Sequence, residues 1–202
     1  DTPAESRFTA DLAHLRIIGN QGRGLEVTGL TSLRLQGCLI RRNLAEGITA
    51  RQLSVNPGGE LLFSLQECEV SGNGGVGVEL GLEPGLAGPP GSRAGAVRLD
   101  VASCLVRDNG REGFRIRSSQ QPGPPVEGGI ILRGCDITAN GASGILVQPS
   151  LDVPALVQGN RLSANRGPAG ITVAGGGGIL RVCNNAVFGN RGSGIRVLEQ
   201  ER

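Results

Sequence analysis

The chain has no tryptophan, tyrosine, methionine or lysine, and only four of its 202 residues are aromatic. A core without aromatic bulk has to be filled by Leu, Ile, Val and Ala, which suits flat stacked sheets better than a globular sandwich. With no lysine, all twenty basic residues are arginine, and against eighteen acids they leave a net charge of +2. That excess is too small to point to nucleic acid or an anionic membrane as a partner. No apolar run approaches the length of a membrane span. The first residues lack the basic-then-apolar pattern of a signal peptide, and Asp1 in place of Met is expected of a mature form or an excised domain.

What is abundant is glycine, 35 residues of it, and 38% of the chain is hydrophobic, enough for one continuous core. The glycines recur at fixed offsets from aliphatic residues, which marks turns rather than low complexity. Laid out by asparagine, the sequence shows seven registers of one pattern: Asn, then Gly four residues later, then an aliphatic, any residue, and a second aliphatic. The anchors are Asn20, Asn43, Asn73, Asn109, Asn140, Asn165 and Asn190, and only the sixth register carries an extra residue, around Pro168. They lead into GLEV at Gly24, GITA at Gly47, GVEL at Gly77, GFRI at Gly113, GILV at Gly144, GITV at Gly170 and GIRV at Gly194.

Three residues before each Asn stands another aliphatic: Ile17, Ile40, Val70, Val106, Ile137, Leu162 and Val187. Eight before it stands a third series: Leu12, Leu35, Leu65, Val101, Leu132, Val157 and Val182. Each register thus holds three short strands of period 2 with their aliphatics inward. The pattern predicts an all-β fold, a right-handed single-stranded parallel β-helix of about seven coils with three short strands per coil, in one domain over 1–202. Because Phe8, Ala10 and Leu12 already alternate as a strand and the last coil stops at Glu199–Arg202, the protein is expected to extend beyond at least one end.

Side chains at one register in successive coils lie about 4.8 Å apart, the spacing of neighbouring strands. The seven asparagines should form an amide ladder inside a turn, a structural feature. Five residues before the Asn runs a second column: Leu15, Cys38, Cys68, Cys104, Cys135, Asn160 and Asn185, with Cys183 outside it and facing outward. Neighbouring thiols would touch, yet their parallel Cβ directions suit a disulfide poorly, and the spacing is not that of a zinc site. Buried free thiols favour an intracellular, reducing location; a secreted one stays open. The spacings between anchors are 23, 30, 36, 31, 25 and 25 residues, and the surplus falls between the strand after the Gly and the next coil. The segments NPGG around Pro57, EPGLAGPPGSRAG from Pro84 to Gly95, and QQPGPPVEGG around Pro122 to Gly129 are expected to stack as loops along one edge, where binding usually resides.

The segments GCLIRRNLAEGITA, SCLVRDNGREGFRI and GCDITANGASGILV resemble the parallel β-helix repeats of the pectin-lyase-like superfamily, found in many carbohydrate-active proteins and in a branch of F-box-only proteins. The stretch from Asn140 to Gln200 is most similar to the carboxy-terminal half of that F-box branch. This resemblance implies a substrate-recognition domain of a cullin-type ubiquitin ligase, although no F-box helices are present. The missing lysines and proline-rich loops depart from the family.

Lyases of the superfamily hold calcium with acidic residues on one outer sheet face, and hydrolases need paired carboxylates. Here the strand after the Gly places Glu26, Thr49, Glu79, Arg115, Leu146, Thr172 and Arg196 outward, then Thr28, Arg51, Gly81, Arg117, Gln148, Ala174 and Leu198. The carboxylates of Glu26 and Glu79 are two coils apart, and Arg115 beside Glu79 reads as a cross-strand ion pair. The row nine before the Asn, running from Asp11 through Arg34, Ser64 and Asp100 to Ile131, Leu156 and Arg181, has no cluster of acids. His14 sits outward without a carboxylate or serine partner, and no glycine-rich segment opens a helix as a phosphate loop does. No catalytic residue, metal site or cofactor is therefore expected.

Two features point to a ligand. Ile131 and Leu156 should lie side by side facing outward, as an interface or under a covering loop. Arg51, Arg115 and Arg117 form a basic spot, solvated and partly neutralised by Glu79, or an anchor for an acidic peptide or sugar acid. The leading expectation is a non-enzymatic recognition or scaffold domain for a protein partner. The alternative is a carbohydrate-binding or polysaccharide-processing β-helix acting on an acidic glycan.

Overall fold

The computed structural model describes residues 9–29, 32–54, 59–83, 95–118, 126–148, 154–175 and 179–198. The proposed loops around Pro57, Pro84 and Pro122, like Phe8, lie outside them. The described residues form three parallel sheets of seven strands each and no helix, wound as a right-handed parallel β-helix of seven coils.

The first sheet stacks Thr9–Ala13, Ser32–Gln36, Glu60–Gln66, Gly95–Ala102, Val126–Arg133, Ala155–Gln158 and Leu180–Cys183. The second stacks the three-residue strands Arg16–Ile18, Leu39–Arg41, Glu69–Ser71, Leu105–Arg107, Asp136–Thr138, Arg161–Ser163 and Ala186–Phe188. The third stacks Leu25–Thr28, Ile48–Ser54, Val78–Glu83, Phe114–Ser118, Ile145–Gln148, Ala169–Ala174 and Ser193–Leu198. Each strand pairs with its counterpart one coil away, as Val106 does with Val70 on one side and Ile137 on the other. The register slips once, between Ala50 and Leu53.

The alternation of aliphatic and polar residues sets which way each side chain points, and the next coil closes the core over it. Ile40, Val70, Val106, Ile137 and Leu162 are fully buried, and Phe63 and Phe114 are the bulkiest side chains inside. Each such side chain contributes about 1.5–3 kcal/mol by leaving water. At the last coil the same register has no coil above it, so Val197 is 73% exposed although its counterpart Val147 is buried.

Two columns of left-handed residues turn the chain between sheets. His14, Gly37, Glu67, Ser103, Gly134, Gly159 and Asn184 precede the cysteine column, and Gly19, Arg42, Gly72, Asp108, Ala139, Ala164 and Gly189 precede the asparagine column. One left-handed residue reverses an extended chain sharply. For the non-glycine members this conformation costs roughly 1 kcal/mol each, held in place by the stacking around them.

The asparagines form the expected ladder. Each Nδ2 donates to the Oδ1 of the next coil, at 2.8 Å from Asn20 to Asn43, 2.9 Å from Asn43 to Asn73 and from Asn73 to Asn109, 3.0 Å from Asn109 to Asn140 and from Asn140 to Asn165, and 2.9 Å from Asn165 to Asn190. The same Oδ1 accepts the backbone N–H of the preceding coil's asparagine, so one amide satisfies the turn on both sides. Cys38, Cys68, Cys104 and Cys135 are buried and free in the other turn, where Asn160 and Asn185 continue the column. Cys183 is free and exposed.

Candidate functional site

The outer face of the third sheet carries the densest polar cluster. Strand pairing aligns Thr49, Glu79, Arg115, Leu146 and Thr172 in one column. Although all point away from the core, Thr49 (0%), Glu79 (6%) and Arg115 (4%) are almost wholly shielded from solvent. Of the three arginines read as a basic spot, Arg115 is enclosed, and Arg51 and Arg117, 45% and 49% exposed, present their guanidinium groups.

Glu79 is the hub. Arg51 Nη2 donates to its Oε2 at 2.9 Å, and Arg115 Nη1 and Arg117 Nη2 stand 3.5 and 3.6 Å from its Oε1. Arg115 also donates to Glu112, which projects from the turn between Asn109 and Gly113. With Arg111, 4.0 Å from Glu112, four guanidinium groups face these two carboxylates, two positive charges in excess. Two buried atoms beside the hub have no partner, Arg115 Nε and Thr49 Oγ1. Next to it, Gly81 separates Arg51 from Arg117 in the outer row; a Cβ there would meet nothing closer than 3.7 Å. With no side chain at Gly81, Arg51 and Arg117 stand on either side of bare backbone, the Arg51 Cγ lying 3.8 Å from where a Cβ would stand.

Burial by itself pushes the Glu79 carboxyl up, but the hydrogen bond and charge of Arg51, then the charges of Arg117 and Arg115, outweigh it and hold the carboxyl below its ordinary 4.5. A carboxylate held ionised in this way is a weak proton acceptor and not the raised general acid that glycoside hydrolysis uses. Glu26, the other half of the carboxylate pair considered from sequence, is ion-paired with Arg23 at 2.8 Å, a guanidinium it shares with Glu46 at 3.0 Å. A depressed folded value means that Glu79 stabilises the fold above the unfolded carboxyl's titration range and that this contribution is lost as pH falls through the folded value. In thermal unfolding, the stability gap between wild type and Glu79→Gln should hold steady from pH 7 to about 5 and narrow towards pH 3. A gap that does not change with pH would show that Glu79 is not ion-paired in solution.

The other sequence candidates lie elsewhere. Ile131 and Leu156 are paired neighbours on the outer face of the first sheet, as read, and with Gly129, Pro154, Ile179 and Arg181 they line an apolar groove of about 320 Å³. Leu146 is half-buried on the third sheet between Arg115 and Thr172. His14 is exposed in its left-handed turn, stacked over Gly37.

Glu112 and the glutamines Gln36 and Gln66 escaped the sequence reading. Glu112 belongs to a turn column that includes Arg23, Glu46 and Ser143, three residues after each Asn; aligning the turns as well as the strands would have shown it. On the first sheet, Asp11, Arg34, Gln36, Ser64, Gln66 and Asp100 line a polar groove of about 370 Å³. The glutamines stand seven residues before their asparagines, a row the pattern of aliphatics does not mark. Among the described residues, no three His, Cys, Asp or Glu side chains are placed to hold a metal, and no helix is long and apolar enough to cross a membrane.

The chain is similar to the A-module of mannuronan C-5 epimerase AlgE4 from Azotobacter vinelandii, at 17% identity and a TM-score of 0.55 over 96% of this chain and 55% of that one. It is similar also to the A-module of AlgE6 from the same organism, at 13% identity and a TM-score of 0.50 over 94% of this chain and 59% of that one. The chain therefore spans a little over half the length of these modules, and at such identity the likeness establishes the fold. No curated protein matches, so the likeness to F-box-only repeats stands on the quoted segments alone. A family model described as right handed beta helix region matches residues 51–202, three quarters of the chain, and with seven coils stacked in one register the protein belongs to that family.

Proposed function

We propose that the protein binds an acidic glycan along the outer face of the third sheet. The observation that carries this reading is the pair of exposed arginines, Arg51 and Arg117, flanking Gly81 beside a buried Glu79–Arg115 pair. Glu79 holds the Arg51 guanidinium by a hydrogen bond and draws Arg117 towards it by charge, so less side-chain freedom is lost when a carboxylate docks. The excess positive charge favours an anionic group between Arg51 and Arg117. Neighbouring coils repeat at about 4.8 Å, close to the advance of one pyranose ring along an extended chain, so a uronate polymer lying along the axis can set one carboxylate at Arg51 and another, two rings on, at Arg117. The two structural neighbours are modules of enzymes named for mannuronan, a uronate polymer, which supports the same ligand class.

The site reads as binding rather than chemistry because its carboxylates are ion-paired. Calorimetric titration with mannuronan and polygalacturonate oligomers should show binding that weakens as salt rises. The double change Arg51→Glu, Arg117→Glu should lower affinity on the order of 100-fold, two charge-assisted contacts of about 1.5 kcal/mol each. Gly81→Val, a change the backbone spacing tolerates, should weaken binding while leaving the melting temperature near that of wild type. Equal affinity for a neutral glucan would overturn the reading, as would indifference to both changes. Turnover of either polymer, with or without calcium, would turn it into a processing enzyme. If no glycan binds, the apolar groove at Ile131 and Leu156 becomes the place to look for a protein partner.

A further inference from the structure

The cysteine column touches none of the residues of the glycan face, and glycan binding has no use for it. Cys38, Cys68, Cys104 and Cys135 occupy one register in four consecutive coils, tied by backbone bonds of 2.9 Å from Glu69 N to Cys38 O, Leu105 N to Cys68 O and Asp136 N to Cys104 O. All four are free and buried. Their thiols point the same way, because each Sγ lies against the carbonyl oxygen two residues earlier, at 3.5 Å from Gln36, 3.2 Å from Gln66, 3.2 Å from Ala102 and 3.4 Å from Arg133.

Four Cβ–Sγ bonds are thus stacked in parallel at the strand spacing, about 4.8 Å. A disulfide needs sulfurs about 2.05 Å apart and a dihedral angle near 90°, whereas parallel stacking gives a wide gap and a dihedral near zero. A metal ion held linearly between two thiolates needs the opposite. It spans about 4.6 Å, twice a metal–thiolate bond of roughly 2.3 Å, and it requires each Cβ–S bond to stand near a right angle to the sulfur–sulfur line. The column supplies both.

We propose that this column binds soft metal ions in linear two-coordinate geometry, each ion bridging the sulfurs of adjacent coils. Charge selects among such ions. Two thiolates with a divalent ion make a neutral unit, whereas a monovalent ion leaves a negative charge in the core, which is costly there. Divalent mercury therefore fits best, as two ions per chain, one on Cys38 and Cys68 and one on Cys104 and Cys135. Each ion displaces two thiol protons to solvent, and nothing is oxidised or reduced. Zinc, which takes four ligands, finds no set of three or more among the described residues. Entry is easiest at Leu15, where the first coil leaves the end of the column exposed.

The test uses the full chain with the exposed Cys183 alkylated beforehand. Titrated with mercury(II) chloride and dialysed, it should retain two ions by native mass spectrometry and release four protons. Zinc at the same concentration should not be retained. Cys104→Ser should halve the count, and if that variant does not fold, Cys38→Ser at the open end should do the same. Retention of one ion or none by the folded wild type would overturn the proposal, as would a count that neither substitution changes or binding seen only in denaturant.

Discussion

Replacing Gly113 with alanine is expected to destabilise the protein by more than about 3 kcal/mol, beyond the usual cost of overpacking a core position. A Cβ at Gly113 would stand 2.7 Å from the carbonyl oxygen of Gly144, 2.7 Å from Ile137 Cγ2 and 2.9 Å from Asn140 Nδ2. None of these can retreat cheaply. The oxygen is backbone, the Ile137 side chain is fully buried, and the amide belongs to the ladder. Gly144 in turn sits as tightly on Gly170, and Gly77 on Gly113, so relief at one coil is resisted by the next. At roughly 2–4 °C per kcal/mol for a domain of this size, the midpoint of thermal unfolding should fall on the order of 10 °C. Gly22→Ala is the control, since its Cβ meets nothing within 4 Å and its backbone is not left-handed; it should move the midpoint by no more than a degree or two. Were both variants to melt with wild type, the close stacking of coils at this column would be wrong.

Removing a middle member of the ladder should cost about as much, for a different reason. Asn109 Oδ1 accepts from the backbone N–H of Asn73 at 3.1 Å and from Asn73 Nδ2 at 2.9 Å, while its own Nδ2 donates to Val70 O at 3.1 Å and Asn140 Oδ1 at 3.0 Å. In Asn109→Ala, the buried N–H of Asn73 loses its acceptor and Val70 O loses a donor, in a turn that water does not reach. An orphaned buried group costs about 1–3 kcal/mol, and with the cavity the total should reach about 3–5 kcal/mol. The same change at Asn20 should cost less than about 1 kcal/mol. Asn20 is exposed at the end of the ladder, and Asn43 Oδ1 keeps the backbone N–H of Asn20 at 3.0 Å after the side chain is gone. Denaturant unfolding of the two variants checks the gradient. Equal losses at both positions would mean that the ladder does not act through burial.

The seven registers were legible because one constraint repeats. A coil must put an aliphatic inward on each of three strands and must pass its neighbour at a glycine, so Val106, Asn109 and Gly113 are spaced as Val70, Asn73 and Gly77 are. The candidate site was less legible. Arg51, Glu79 and Arg117 could be placed on one face from their distances to the asparagines, but Glu112 lies in a turn where no aliphatic marks the phase. The left-handed positions were hidden in the same way: glycine signals some of them, while Arg42, Asp108 and Ala164 take that conformation because stacking imposes it.

The sequence by itself determined the architecture, the two turn columns and the direction in which each strand residue points, since all follow from a period that any single coil displays. Exposure was decided only by the tertiary structure. Arg115 and Arg117 are two residues apart and both face outward, yet one is sealed between Glu79 and Glu112 while the other reaches solvent. Glu112 is a local partner, three residues before Arg115, whereas Glu79 is thirty-six residues away along the chain and becomes a neighbour only when the coils stack.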